Sequence, residues 1–243
     1  MTFSNLYRQV ALLKQVLGRS LSDPDLLDID ADLYKAVSEF EGIDCEYVWY
    51  TTEVLDGYDL IMLPGGFAYG DYLRAGALAA RAPVLNAVKQ ATESGKRVLG
   101  ICNGFQVLTE CGLLPGALRP NSGLHFICAN PRLEVVDNNT LFTSRYHQGE
   151  VIRLPIAHGE GHYTCDELTL QHLQSEKRIV FRYSGENPNG SLDHIAGITN
   201  REGNVLGMMP HPERAMATWM GTDDGRRLFE SVLNLYQEPP DAA

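Results

Sequence analysis

Gly100-Ile101-Cys102-Asn103-Gly104 sets a thiol between two glycines, each two positions away. An apolar run, Val98 to Ile101, leads into it, and a helix-compatible stretch, Phe105 to Cys111, follows. Strand, tight turn and helix make a nucleophile elbow, here with cysteine where serine is more common. Such a turn strains the backbone of the nucleophile, and side chains two positions away would collide. Both flanking residues must therefore be small. The turn would lift the sulfur above the carboxyl ends of the strands, where open α/β sheets bind ligands. The following helix would aim its free N–H groups at the sulfur and favour the thiolate. The competing reading is a small buried core cysteine beside packing glycines. The motif needs partners before it counts as chemistry.

A cysteine nucleophile needs a base, and the base needs an orienting group. Of seven histidines, His125, His147, His172 and His194 sit in ordinary contexts and read as surface or structural. His211 follows the apolar run Val205–Met209 within Pro210-His211-Pro212-Glu213-Arg214. It therefore also lies at a strand's carboxyl end, on a segment stiffened by two prolines. Glu213 is placed to accept from one ring nitrogen while the other faces the thiol. A tetrahedral intermediate would also need donors. Backbone N–H groups of Gly65 and Gly66, after the run Leu60–Leu63, and of Asn103 could form an oxyanion hole. His158-Gly159-Glu160-Gly161-His162 has the form H-x-E-x-H, but its glycines and the lack of a further ligand argue against a metal site.

The elements that must position these groups alternate strand and helix. Cys45–Tyr50, Leu60–Leu63 and Val98–Ile101 read as strands, and Leu33–Phe40 and Val84–Ser94 as helices. This half implies an α/β fold with a doubly wound, mostly parallel sheet flanked by helices. From about Leu124 to Met209 the chain is strand-rich, with Arg132–Val136, Val151–Ala157, Ile179–Tyr183 and Val205–Met209 as candidates. Gly225 to Tyr236 reads as a closing helix, and residues 238–243 as a frayed tail. Residues 6 to 17 place Leu6, Val10, Leu13 and Leu17 at helical spacing, and 21–30 read as an acidic loop.

The chain has 243 residues, enough for one large α/β domain. Its formal net charge of −11 argues against a nucleic-acid surface. Five scattered cysteines without a C-x-x-C pair argue against a disulfide framework and a zinc cluster. No apolar run reaches the roughly 20 residues of a membrane span, and no secretory signal opens the chain. The expected location is the cytoplasm.

With Cys102, His211 and Glu213 in place, the sequence resembles the class I (triad) glutamine amidotransferases. LPGGFAYGDYLRAGA (63–77), VLGICNGFQVLTECGLLPGAL (98–118), PIAHGEG (155–161), NPNGS (187–191) and GMMPHPERA (207–215) are similar, within that class, to the family of glutaminase subunits of phosphoribosylformylglycinamidine synthase. The resemblance implies that Cys102 attacks the side-chain amide of L-glutamine. His211 would protonate the departing ammonia, with Glu213 orienting it. It implies ammonia delivery to a large ATP- and magnesium-using synthetase subunit, and a further partner in the form of a small bridging subunit. No cofactor is implied in this subunit. Gln106, His158 and Glu160 are implied near the glutamine pocket.

The resemblance covers a glutaminase domain over 28–237. Residues 1–27 depart from it, because the family opens with a short apolar strand followed by a loop. Without that strand the sheet would lose a core member and expose an edge, so either 1–27 is rearranged to fill the space or the N-terminus is aberrant. Two other readings stay open at this stage. One is a catalytically impaired docking subunit of the same complex. The other is a different cysteine hydrolase on a related elbow, which Asn103 disfavours because such enzymes usually carry histidine after the cysteine.

Overall fold

The structure is a computed structural model and describes residues 8–14, 28–66 and 74–233. The chain begins with β1 (Arg8–Lys14), α1 (Asp28–Ser38), β2 (Ile43–Trp49) and β3 (Leu60–Leu63). Then come α2 (Val84–Glu93), β4 (Arg97–Ile101) and α3 (Asn103–Glu110). Short strands follow: β5 (Ala117–Arg119), β6 (Ile127–Ala129), β7 (Arg132–Val135), β8 (Val151–Arg153), β9 (Ile156–His158) and β10 (His162–Thr164). The last elements are α4 (Glu167–Ser175), β11 (Ile179–Tyr183), β12 (Ile195–Thr199), β13 (Val205–Met208) and α5 (Arg226–Val232).

Among the described residues one large sheet has the order β2-β1-β3-β4-β13-β12-β11-β7-β8. From β2 to β13 neighbours run parallel; from β13 to β8 they run antiparallel. The centre of the parallel half is closed to solvent, as its continuous apolar runs require: every residue of β3 and β13 is buried. Helix α3 packs on β3, β4 and β13, and α1 packs on β1 and β2. The sheet is thus α/β as expected, but mixed. The parallel character belongs to the first half, and the strand-rich second half adds antiparallel neighbours through short connections such as the turn at 200–204.

The N-terminal expectation is overturned where it can be tested. Residues 8–14 are not helical. They form β1, which pairs with β2 on one side (Val10 opposite Cys45) and β3 on the other (Val10 opposite Leu60). Val10, Ala11, Leu12 and Leu13 are buried together. Four consecutive buried residues suit a strand covered on both faces, and spacing alone cannot separate that from a helix. The strand position is filled, and β2 is the sheet's edge instead.

Three smaller corrections concern bounds. Helix α1 begins at Asp28, inside the stretch expected to be loop. Val151–Ala157 is two strands, because Pro155 offers no N–H to a ladder: β8 joins the large sheet and β9 pairs with β6. Helix α4 was unanticipated; the Asp166 carboxylate caps it by accepting from Thr169 N–H at 2.7 Å. The rest of the 6–17 and 21–30 readings, part of the 63–77 motif, the end of the closing helix and the 238–243 tail lie outside the described residues.

Candidate active site

Three neighbouring parallel strands, β3, β4 and β13, deliver the sequence-selected groups at their carboxyl ends. Strand β4 runs into Cys102, β3 into Pro64-Gly65-Gly66, and β13 into Met209-Pro210-His211. Adjacent strands in register bring together residues more than a hundred positions apart in sequence.

Cys102 is the strained residue the elbow demands. Its backbone sits at φ 51°, ψ −107°, and helix α3 starts at the next residue. The Cys102 N–H donates to Met208 O at 2.7 Å, which pins the turn to β13. The flanking glycines are required by close approach. A Cβ on Gly104 would lie 2.1 Å from Leu63 O, and one on Gly100 would lie 2.5 Å from Leu108 Cδ1. The first distance also shows that the end of β3, just before Gly65 and Gly66, abuts the elbow. The Cys102 thiol points at Ala157 O, 3.8 Å away.

His211 and Glu213 are both about 1% exposed, and His211 Nδ1 meets Glu213 Oε1 at 2.5 Å. The carboxylate accepts from that nitrogen, so Nε2 is the nitrogen left for chemistry. Burial alone would push His211 down, but the Glu213 charge and the neighbouring Cys102 outweigh it and raise the ring to about 10. His211 N–H donates to Pro155 O at 2.8 Å, and Arg214 Nε donates to Asp32 Oδ2 of α1 at 3.1 Å. These contacts fix the short turn that carries the pair.

The remaining sequence-selected residues divide. Gln106 is buried and its amide is committed: Oε1 accepts from Asn103 Nδ2 at 2.7 Å and Nε2 donates to Glu160 O at 2.6 Å. It braces the elbow against the 158–161 loop. Glu160 accepts from Ala75 N–H through Oε2 at 3.3 Å. His158 is buried on β9 and its ring is pushed down to about 4, by burial first and then by the charge of His211. The H-x-E-x-H pattern does not converge. Among the described residues no three His, Cys, Asp or Glu side chains are placed to hold a metal ion. His125, His147, His172 and His194 are exposed, as their contexts suggested.

Sequence reasoning missed Asn121. It is fully buried and its side chain ties the 121–125 turn to His158 and Gly161. It is 37 residues from His158 in the chain, and the pairings of β6 with β9 and of β5 with β10 bring the two segments together.

This thiol, buried imidazole and buried carboxylate are the set needed to form and hydrolyse an acyl-thioester. A family model for the CobB/CobQ-like glutamine amidotransferase domain matches residues 32–237. The chain belongs to the glutamine amidotransferases. It is 43% identical to a chain in the structure of PurLQS from Thermotoga maritima, covering 94% of this chain and 98% of that one, with a TM-score of 0.81. The Trypanosoma brucei CTPS glutaminase domain with bound acivicin shares the fold at 14% identity, 96% coverage of each chain and a TM-score of 0.60. A glutamine amidotransferase from Thermotoga maritima does so at 17% identity, 94% and 91% coverage and a TM-score of 0.56.

Proposed function

We propose that this amidotransferase is the glutaminase subunit of phosphoribosylformylglycinamidine synthase. It hydrolyses L-glutamine and supplies ammonia to a separate synthetase subunit, which uses ATP and magnesium to make formylglycinamidine ribonucleotide in purine synthesis. The observation that carries this reading is that Cys102 and the hydrogen-bonded His211–Glu213 pair follow the ends of adjacent parallel strands. It occurs in a chain 43% identical, over nearly its whole length, to a PurLQS chain. A small bridging subunit is the further partner, and the cytoplasm the expected compartment. Among the described residues no helix is long and apolar enough to cross a membrane.

Cys102 Sγ, its proton passed to His211 Nε2, attacks the amide carbon of glutamine, and the carbonyl π pair moves to oxygen. The oxyanion accepts from the backbone N–H groups of Gly65, Gly66 and Asn103, just after β3 and at the start of α3. The C–N bond breaks with its electron pair on nitrogen. His211 Nε2–H supplies the proton that completes ammonia. Water then attacks the γ-glutamyl thioester while His211 takes its proton, and glutamate leaves. Glu213 keeps the ring oriented throughout. The filled β1 position favours this reading over an impaired docking subunit, because the sheet beneath Cys102 has its core strand.

The test is glutamate release from L-glutamine, with and without the purified synthetase subunit. The proposal expects slow release alone, faster release in the complex, and loss in Cys102→Ala. Docking on the synthetase without any glutamine hydrolysis would replace it with the non-catalytic reading.

A further inference from the structure

His158 Nε2 makes no hydrogen bond among the described residues, although the residue is 3% exposed. A buried ring nitrogen left without a partner is costly unless something else meets it. Its surroundings decide whether that nitrogen donates or accepts.

Asn121 settles the question. Its Nδ2 donates to two carbonyls, His125 O and His158 O, both at 2.9 Å. Its Oδ1 accepts from Gly161 N–H at 2.9 Å. A flipped amide would set N–H against N–H and oxygen against two carbonyls, so the orientation is fixed by backbone groups whose roles are known. Oδ1 also lies 3.1 Å from His158 Nδ1, which must therefore carry the hydrogen and donate. Nε2 is then a bare lone pair, an acceptor. The ring lies over Gly161, where a Cβ would come within 2.2 Å of its Cε1, so the missing side chain there makes room for it. It follows Ala157, whose carbonyl faces the Cys102 thiol, and it is near enough to His211 to feel that ring's charge.

We propose that His158 Nε2 accepts a hydrogen bond from the substrate's departing amide nitrogen and holds it while the C–N bond breaks. This rests on the glutaminase reading and assigns a further substrate-contacting residue within it. In the tetrahedral intermediate the nitrogen carries two hydrogens and a lone pair. One N–H donates to His158 without being transferred. The lone pair then faces His211 Nε2–H, whose proton it takes as carbon–nitrogen cleavage releases ammonia. A histidine kept neutral, with its only hydrogen committed to Asn121, has no proton to convert that ammonia into unreactive ammonium.

The experiment compares two substrates in the complex with the synthetase. L-glutamine leaves as a nitrogen bearing hydrogens. L-glutamate γ-methyl ester leaves as an oxygen with no hydrogen to donate to His158. His158→Phe should lower kcat on glutamine by roughly 10- to 100-fold while ester hydrolysis stays within about threefold, the loss expected for one hydrogen bond to a reacting group. His158→Gln, which keeps an acceptor, should recover part of the glutamine rate, and His158→Leu, which has none, should show the same selective loss on glutamine should the Phe variant fail to fold. Equal losses on both substrates, or no loss on glutamine, would overturn the assignment. A wild-type complex that cleaves neither substrate would instead refute the glutaminase reading itself.

Discussion

Gly104→Ala is the substitution whose cost the structure sets most directly. The added Cβ would sit 2.1 Å from Leu63 O and 2.8 Å from Leu63 C and Cβ. Real Cβ atoms essentially never come within 3.0 Å of a heavy atom, so strand end and elbow must separate by about 0.9 Å. Neither side gives easily: Leu63 is paired in β3 and Cys102 is bonded to Met208. Overpacking a close-fitted site costs about 1–3 kcal/mol. The displacement also shifts the end of β3 against the elbow that carries Cys102, and a misplacement of about 1 Å costs on the order of 100-fold in rate. Urea unfolding and glutaminase kcat/KM, measured beside Gly57→Ala, give the comparison. An Ala Cβ at Gly57 meets nothing within 4 Å, so that variant should stay within about 0.5 kcal/mol of the parent. A Gly104→Ala protein as stable and as active as Gly57→Ala would refute the close approach on which the elbow argument depends.

Leu12→Ala should destabilise the protein by about 2–5 kcal/mol in urea unfolding, because the side chain is buried on a strand paired on both sides; a near-neutral effect would contradict the placement of β1. Glu213→Gln should keep the fold yet lower kcat by about 100-fold or more in steady-state assays, since the amide can hold the ring but not stabilise its charge; unchanged kcat would remove Glu213 from the chemistry. With His211 raised to about 10, its contribution to stability is complete below the ordinary histidine value of 6.5 and fades as pH rises through about 10. The profile of kcat/KM should accordingly stay level from neutral pH upward and fall only near 10. A limb near 6.5 would show that the ring titrates as an ordinary histidine.

Local rules of sequence reach the site more readily than the frame around it. The elbow is legible because its glycines answer a steric demand within five residues. His211 and Glu213 are legible only beside the elbow, since a proline-stiffened turn after an apolar run reads by itself as a rigid turn with an exposed histidine. Strand β1 is not, since Val10 to Leu13 satisfies a helical spacing and a doubly covered strand equally well, and pairing with β2 and β3 decides between them. The antiparallel half of the sheet shows itself as strand-rich but without direction, which depends on partners far away in sequence. Gln106 stands out for its nearness to Cys102, but only the folded chain shows both ends of its amide taken by protein. Asn121 carries no local signal, because its role exists only once the 117–129 and 156–164 segments pair.

The central claim is that Cys102 carries the glutamyl group. Rapid acid quenching of the complex during glutamine turnover, followed by mass spectrometry of its peptides, tests it most directly. The account predicts one glutamyl adduct on the peptide holding Cys102, absent in Cys102→Ala. Steady glutamate release with no adduct there, or an adduct on another cysteine, would contradict it.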